Sequence, residues 1–239
     1  MRFIAVIPAH LEAQRFPGKL LVNLLGKTVL QRTYEAVVQA QLFDEVWVAT
    51  NSDAIEHHIK SLGGLVYRSK LKHDCGSNRV AECVEGMDVD VVVNVQGDEP
   101  FVSAQSLRDL MNAFRQDFES EIDVASLMIP IEDKSEFENP NVVKVVADQS
   151  GKALYFSRAA IPFMRATGQG FRHVGIYAFR KAALLDFYGH EPTTLEKTEK
   201  IEAIRYLEMG RMIQMLPTDF VGVGIDTPQD LVRATELLS

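Results

Sequence analysis

Asp88 to Val95 reads DVDVVVNV. A run this apolar has no wet face, so it needs cover on both sides, as the central strand of a parallel sheet has. The chain around it fits that need. Arg2 to Ile7 is a short β-branched apolar run, and Glu45 to Thr50 (EVWVAT) is another. Between them, Lys27 to Ala40 places Val29, Leu30, Tyr34, Val37 and Val38 on one helical face. Asn51-Ser52-Asp53 supplies N-cap side chains for a helix that Gly63-Gly64 ends, and Leu65 to Tyr67 reads as a strand. Ser77 to Glu85, with Ser77 as its cap, reads as the helix leading into residue 88. Strand and helix therefore alternate up to the end of that apolar run. The pattern predicts an α/β fold with an open, doubly wound, mostly parallel sheet.

Further on, Ser103 to Phe118 reads as a helix, with Ser103 or Ser106 as its cap, and Asp123 to Ile129 as a strand. From about Pro130 to Tyr177 the pattern changes to strand-like pieces joined by polar turns: Val142 to Ala147, Ala153 to Phe156 and Arg172 to Phe179. We read a small mixed or antiparallel insertion at about 130–180, at one edge of the sheet, able to pair with a second subunit. Leu195 to Met209 reads as one helix, Met212 to Leu216 as a strand, and Pro228 to Leu238 as a closing helix. The 239 residues (1–239) are expected to form a single domain.

Composition narrows the function. A net charge of −8 argues against general binding to nucleic acid or to acidic membranes, while leaving room for an anionic substrate where basic residues gather. No apolar run approaches the ~20 residues of a membrane helix, so no membrane insertion is expected. The two cysteines, Cys75 and Cys83, fit neither a disulfide framework nor a zinc pattern. Free thiols in a cytoplasmic protein are expected.

The loop after the first strand carries the first chemistry. Pro8 is expected to end the strand, because proline cannot donate to a ladder. The segment Pro8-Ala-His-Leu-Glu-Ala-Gln-Arg15-Phe-Pro-Gly-Lys19 then closes in a Pro17-Gly18 turn flanked by two cations. Such a loop at the carboxyl end of a parallel strand suits a polyphosphate; it equally suits a plain turn with two solvated cations. It is neither G-x-x-x-x-G-K-[ST] nor G-x-G-x-x-G, which disfavours an ATPase or a nicotinamide dehydrogenase.

Two acidic sites follow. Gln96-Gly97-Asp98-Glu99-Pro100 leaves the DVDVVVNV strand directly, where α/β sheets bind ligands, so Asp98 is placed to hold a cation or to serve as a solvated turn residue. Near the end, Thr227, Pro228 and Asp230 form a helix start, which leaves Asp226 without a structural job. Asp98 and Asp226 are the pair we expect on one Mg²⁺. Gly76-Ser77-Asn78-Arg79 opens a helix and brings a guanidinium, fit for an anion, a base edge or solvent. Arg158 before a proline-containing turn suits a carboxylate. His173, Gly175 and Tyr177 share one face of a strand, and Glu199, Glu202 and Arg205 are spaced to share one face of a helix.

These pieces, in this order, resemble the 3-deoxy-manno-octulosonate (KDO) cytidylyltransferases, the CMP-KDO synthetase family. The matching segments are PAHLEAQRFPGK, GSNR, VNVQGDEP, NPNVVKVV, ALYFSRAAIPF, HVGIYAFR, LEKTEKIEAIRYLEMG and GIDTPQDL, which span nearly the whole chain. The resemblance implies a Rossmann-like nucleotidyltransferase fold and a cytoplasmic homodimer. It implies Mg²⁺-dependent transfer of CMP from CTP to the anomeric hydroxyl of KDO, with pyrophosphate released, for lipopolysaccharide synthesis. It places the nucleotide on Pro8, His10, Arg15, Lys19, Arg79 and Asp98, with Lys19 stabilising charge at the α-phosphate. It places the metal on Asp98 and Asp226, and the sugar acid on Gln96, Arg158, His173, Tyr177 and Glu202. The chain departs from the family pattern at His10, where arginine is usual, at Cys75 to Arg79, where S-G-T-[DE]-R is usual, and at Ala203, where glutamine is usual. Those departures leave room for another ulosonate, such as 8-amino-KDO or a sialic-acid-like sugar, or for a CTP-binding relative without turnover.

Overall fold

The structure is a computed structural model that describes residues 1–13, 15–73, 75–219 and 222–238. The chain forms two compact units: Met1–Arg108 with Phe220–Ser239, and Asp109–Asp219.

The first unit opens with β1 (Phe3–Ala9), buried at every position. A small antiparallel hairpin follows, β2 (Asn23–Leu24) and β3 (Lys27–Thr28). Then come α1 (Val29–Gln39), β4 (Glu45–Thr50), α2 (Asp53–Ser61), β5 (Leu65–Arg68), α3 (Gly76–Val84) and β6 (Val91–Asn94). β1 pairs in parallel with β4 on one side and with β6 on the other, and β4 pairs in parallel with β5. The chain thus steps outward from β1 through β4 to β5 and then returns to the far side of β1. That reversal makes a topological switch point between β1 and β6, and a ligand crevice outside their carboxyl ends. β6 is buried at all four positions, as its sequence requires.

Three local expectations change in this unit. β1 continues through Pro8 to Ala9, with Pro8 in register with Ala49 of β4. In a parallel ladder alternate residues face opposite neighbours. Pro8, like Val6, faces the β6 side, where pairing has already ended at Val6 with Asn94, so its missing N–H breaks no ladder bond. Lys27 and Thr28 belong to the hairpin, and the Thr28 hydroxyl caps α1 by accepting from the Gln31 N–H. Cys75, not Ser77, stands at the N-cap of α3, and Ser77 is buried within the first turn. The loop before α3 is held from another direction: Glu82 accepts from the Lys70 N–H at 2.8 Å and contacts His73 Nε2 at 2.6 Å.

The unit boundary falls within α4 (Ala104–Gln116), which Ser103 caps by accepting from the Gln105 and Ser106 N–H groups. The second unit contains β7 (Val124–Ile131), α5 (Lys134–Glu138), β8 (Lys144–Ala147), β9 (Ala153–Ser157), β10 (Gly170–Arg180), α6 (Lys181–Gly189), α7 (Thr194–Glu199), α8 (Ala203–Glu208) and β11 (Ile213–Pro217). β7 is its hub, parallel to β11 and antiparallel to β10; β10 is antiparallel to β8, and β8 to β9. The mixed pairing expected here is present. The single helix expected from Leu195 to Met209 is not: it breaks at Lys200, whose φ of 58° is left-handed. The Glu199 and Lys200 carbonyls, released from helical bonding, accept from Arg158 Nε at 2.7 Å and Nη2 at 3.3 Å. Glu196 of α7 grips Arg205 of α8 with two bonds of 2.7 and 2.6 Å. Glu199, Glu202 and Arg205 therefore do not form the stripe that their spacing suggested.

The chain returns to the first unit for α9 (Pro228–Leu238). The Thr227 hydroxyl accepts from the Asp230 N–H, and the Asp230 carboxylate accepts from the Thr227 N–H, as the sequence indicated. Leu24, Val29, Ile225 and Ala234 are buried together, with Phe16, Phe101 and Leu231 packed against them. This cluster ties the C-terminal segment to the first loop, the hairpin and α1. Among the described residues no helix is long and apolar enough to cross a membrane.

Candidate active site

The first loop ends in a turn built by its own residues. The Lys19 N–H donates to the Phe16 carbonyl at 3.2 Å, and Gly18 has φ 72° and ψ 7°. Proline second and a positive-φ glycine third make this a type II turn, which aims the Lys19 side chain back across the loop. A second turn forms where β6 ends, as the Glu99 N–H donates to the Gln96 carbonyl at 3.1 Å with Gly97 and Asp98 between. Gly97 lies against the β1 backbone, where a Cβ would come within 3.1 Å of the Pro8 carbonyl oxygen, a tight contact that glycine avoids. The Ile225 N–H donates to the Asp98 carbonyl at 2.9 Å, which brings the following residue, Asp226, beside Asp98.

The two acids and the loop cations meet there. Lys19 Nζ contacts Asp98 Oδ2 and lies 2.7 Å from Asp226 Oδ1, although Lys19 and Asp226 are 207 residues apart in sequence. Arg15 Nη1 donates to the other Asp226 oxygen at 3.0 Å. The group sits in an open cavity of about 280 Å³ lined by Pro8, His10, Arg15, Lys19, Gln96, Gly97, Asp98 and Asp226, with Glu12, Ala13, Leu20 and Gly76. Glu12 is a cavity carboxylate that no spacing in the sequence singled out.

Charge in the cavity is poised by these contacts. Burial works against the Lys19 ammonium, but Asp98 and Asp226 outweigh it and hold its pKa above the usual lysine value. Burial also works against the Asp226 carboxylate, and Lys19 and Arg15 more than offset it, so its pKa is lowered. His10 is the reverse case: burial, then the Arg79 and Lys19 cations, push its pKa below the usual histidine value. It is a neutral imidazole at pH 7, where an arginine would add a permanent charge. Arg79 is 3% exposed, and its Nη1 has no partner among the described residues; nor has Oδ1 of the adjacent Asn78. A buried donor and acceptor left open in the first turn of α3 are what a ligand edge can satisfy.

The donor set also suits a metal ion. Asp98 and Asp226 already converge on one positive atom, Lys19 Nζ. No cluster of three or more His, Cys, Asp or Glu occurs among the described residues. Two carboxylates fit a hard cation that completes its shell with water and phosphate oxygens, as Mg²⁺ does.

The remaining sequence-chosen residues lie in the second unit. Arg158 donates Nε to the Glu199 carbonyl, Nη1 to the Pro140 carbonyl and Nη2 to the Lys200 carbonyl, which uses three of its five donors. Its N–H and the Ser157 hydroxyl both donate to the Glu199 carboxylate, at 2.9 and 2.6 Å. His173 Nε2 lies 2.9 Å from the Ser126 hydroxyl, and burial pushes the His173 pKa down to about 3. The register of β10 against β7 shifts between Val174 and Tyr177, so Gly175 falls in a bulge; His173 and Tyr177 still meet, with ring centroids 5.1 Å apart. Glu202 stands at the N-cap of α8.

Residues 4–213 match the family model described as cytidylyltransferase. A 3-deoxy-manno-octulosonate cytidylyltransferase of Christiangramia forsetii is 54% identical over 241 residues, covering 100% of this chain and 97% of that protein. One of Flavobacterium johnsoniae is 53% identical, covering 100% and 99%. Among solved structures, CMP:2-keto-3-deoxy-manno-octonic acid synthetase complexed with CTP aligns with a TM-score of 0.94 at 32% identity, over 100% of this chain and 98% of that one. A 4-diphosphocytidyl-2C-methyl-D-erythritol synthase of Anaerococcus prevotii shares the fold, with a TM-score of 0.67 at 16% identity over 99% and 98% of the two chains. With its switch-point cavity, its converging lysine and acids, and these full-length matches, the chain belongs to the cytidylyltransferase family, as a nucleotidyltransferase of the 3-deoxy-manno-octulosonate branch.

Proposed function

We propose that the protein transfers CMP from CTP to the anomeric hydroxyl of KDO, as its 53–54% identical relatives are named for doing. The observation that carries the reading is the meeting of Lys19, Asp98 and Asp226 in one cavity at the switch point. The sugar oxygen attacks the α-phosphorus, a new O–P bond forms, and the α–β anhydride bond breaks. Pyrophosphate leaves with the electron pair, and one proton is released. Arg15 and Lys19 hold the phosphates. Because its pKa is raised, Lys19 stays cationic throughout and faces the charge that builds at the α-phosphate. Pro8 and the neutral His10 line the same phosphate cavity.

Arg79 takes the cytosine in this reading, supported by its buried unpaired Nη1; with Asn78 Oδ1 it offers a donor and an acceptor to an amino-pyrimidine edge. Asp98 and Asp226 hold the metal, which we take to be Mg²⁺. When bound, it neutralises charge on the phosphate oxygens. Gln96, Arg158, His173, Tyr177 and Glu202 take the sugar acid. Arg158 keeps two N–H groups beyond its carbonyl bonds, and these suit the acid's carboxylate. The reading places the enzyme in the cytoplasm, in line with two free cysteines, serving lipopolysaccharide synthesis. It also includes a homodimer through the 130–180 segment, in which Phe163 is 85% exposed.

Pyrophosphate release with CTP and Mg²⁺ tests the reading across four conditions: KDO, 8-amino-KDO, sialic acid and no sugar. Release with KDO well above the others is expected. Release with another sugar alone would reassign the substrate, and none with any sugar would overturn the activity.

A further inference from the structure

Asp98 depends on a residue that the chemistry does not use. Thr33, on the inner face of α1, is fully buried. Its hydroxyl lies 3.0 Å from the Gly97 carbonyl and 3.3 Å from the Val29 carbonyl, one turn back on its own helix. Among the described residues no backbone N–H donates to the Gly97 carbonyl. That carbonyl belongs to the peptide joining Gly97 to Asp98. The next peptide is fixed by the Ile225 N–H on the Asp98 carbonyl at 2.9 Å. A residue's two flanking peptide planes set its φ and ψ, and with them the direction of its Cβ. Thr33 therefore fixes one of the two planes that aim the Asp98 carboxylate, and among the described residues it is the one side chain that bonds the Gly97 carbonyl. The glycine makes this necessary. A Cβ on Gly97 would crowd the Pro8 carbonyl oxygen at 3.1 Å, and without one Gly97 is the least restrained residue of the turn.

We propose that Thr33 is a positioning residue for metal binding, holding the Gly97–Asp98 peptide so that Asp98 and Asp226 meet one cation. The inference rests on the assignment of Asp98 and Asp226 to the metal.

The experiment measures Mn²⁺ binding by electron paramagnetic resonance with CTP present, in the wild type and in Thr33→Val, Thr33→Ser and Asp98→Asn. Outer partners of metal ligands typically contribute about 10–100-fold in affinity. Thr33→Val keeps the shape and loses the hydroxyl, and is expected to weaken Mn²⁺ by about tenfold on that scale. Thr33→Ser keeps the hydroxyl and should restore affinity to within about threefold. The Mg²⁺ concentration for half-maximal rate should rise in step with the weakened Mn²⁺ binding, whereas a purely structural role would lower melting temperature alone. Wild-type affinity in Thr33→Val, with loss in Asp98→Asn, overturns the role of Thr33. Wild-type affinity in Asp98→Asn overturns the metal assignment and the inference with it. If Thr33→Val does not fold, Thr33→Ala against Thr33→Ser isolates the hydroxyl, and equal affinity in that pair is the refuting result.

Discussion

Lys144 in β8 offers a sharp test of how the second unit is held. Its side chain is fully buried, and its ammonium donates to the carbonyls of Asn139 at 2.8 Å, Val142 at 2.6 Å and Arg158 at 2.7 Å. Among the described residues no carboxylate pairs with it. Burial, and then the Arg158 charge, lower its pKa, with Glu199 pulling the other way. Methionine matches its length and removes the buried charge, which is a gain. The loss is three carbonyls without their donor, at about 1–3 kcal/mol for each that stays dry. The ammonium's own burial costs several kcal/mol, and its relief offsets part of that loss. The balance is a destabilisation of about 2–4 kcal/mol. In a chain of this size ~1 kcal/mol moves Tm by about 2–4 °C, so Lys144→Met should melt about 5–15 °C early. The assay is thermal unfolding by circular dichroism, with KDO KM as a second readout. With Arg158 as the proposed ligand of the sugar acid, KM should rise, because the lost Arg158 carbonyl bond frees the backbone that carries the guanidinium. A Tm within about 2 °C of wild type would rule out this role for Lys144, since it would mean the three carbonyls find water or other donors at no cost.

His10→Arg restores a permanent cation where the structure has a neutral imidazole, and should lower the KM for CTP; an unchanged KM would show that the position does not meet phosphate. His173 is expected to limit acid stability. With its folded pKa near 3 and an unfolded value of 6.5, the unfolded state binds the extra proton between those limits. Its contribution is complete above pH 6.5 and is lost as pH falls toward 3, by about 1.4 kcal/mol per pH unit. His173→Gln should flatten the pH dependence of the urea midpoint by one proton's slope over that window, and an identical slope in the two proteins would contradict the burial.

Much of this architecture is local and so can be read in the chain. Apolar runs such as Asp88–Val95 and the face Val29, Leu30 and Val37 of α1 mark parallel strands and the helices that cover them, because periodicity is a property of neighbouring residues. Pro17-Gly18 and Thr227-Pro228 carry their own turn and cap. Other features depend on partners far away. Pro8 stays in β1 because β6 has already ended beside it. The helix breaks at Lys200 because Arg158 and the Glu196–Arg205 pair satisfy the two halves separately. Nothing local in the sequence sets Thr33 apart on its helix; its bond to the Gly97 carbonyl, 64 residues away, depends on the fold.

Local sequence pattern specifies the α/β alternation, the two turns and the kinds of side chain able to handle a phosphate and a cation. That Lys19, Asp98 and Asp226 share one cavity follows from long-range packing. Their meeting depends on the reversal of strand order at β1, on the Ile225–Asp98 bond, and on the burial of Ile225 with Leu24, Val29 and Ala234. Those are contacts between distant segments, formed when apolar surface leaves water, and no local pattern specifies which segments will meet.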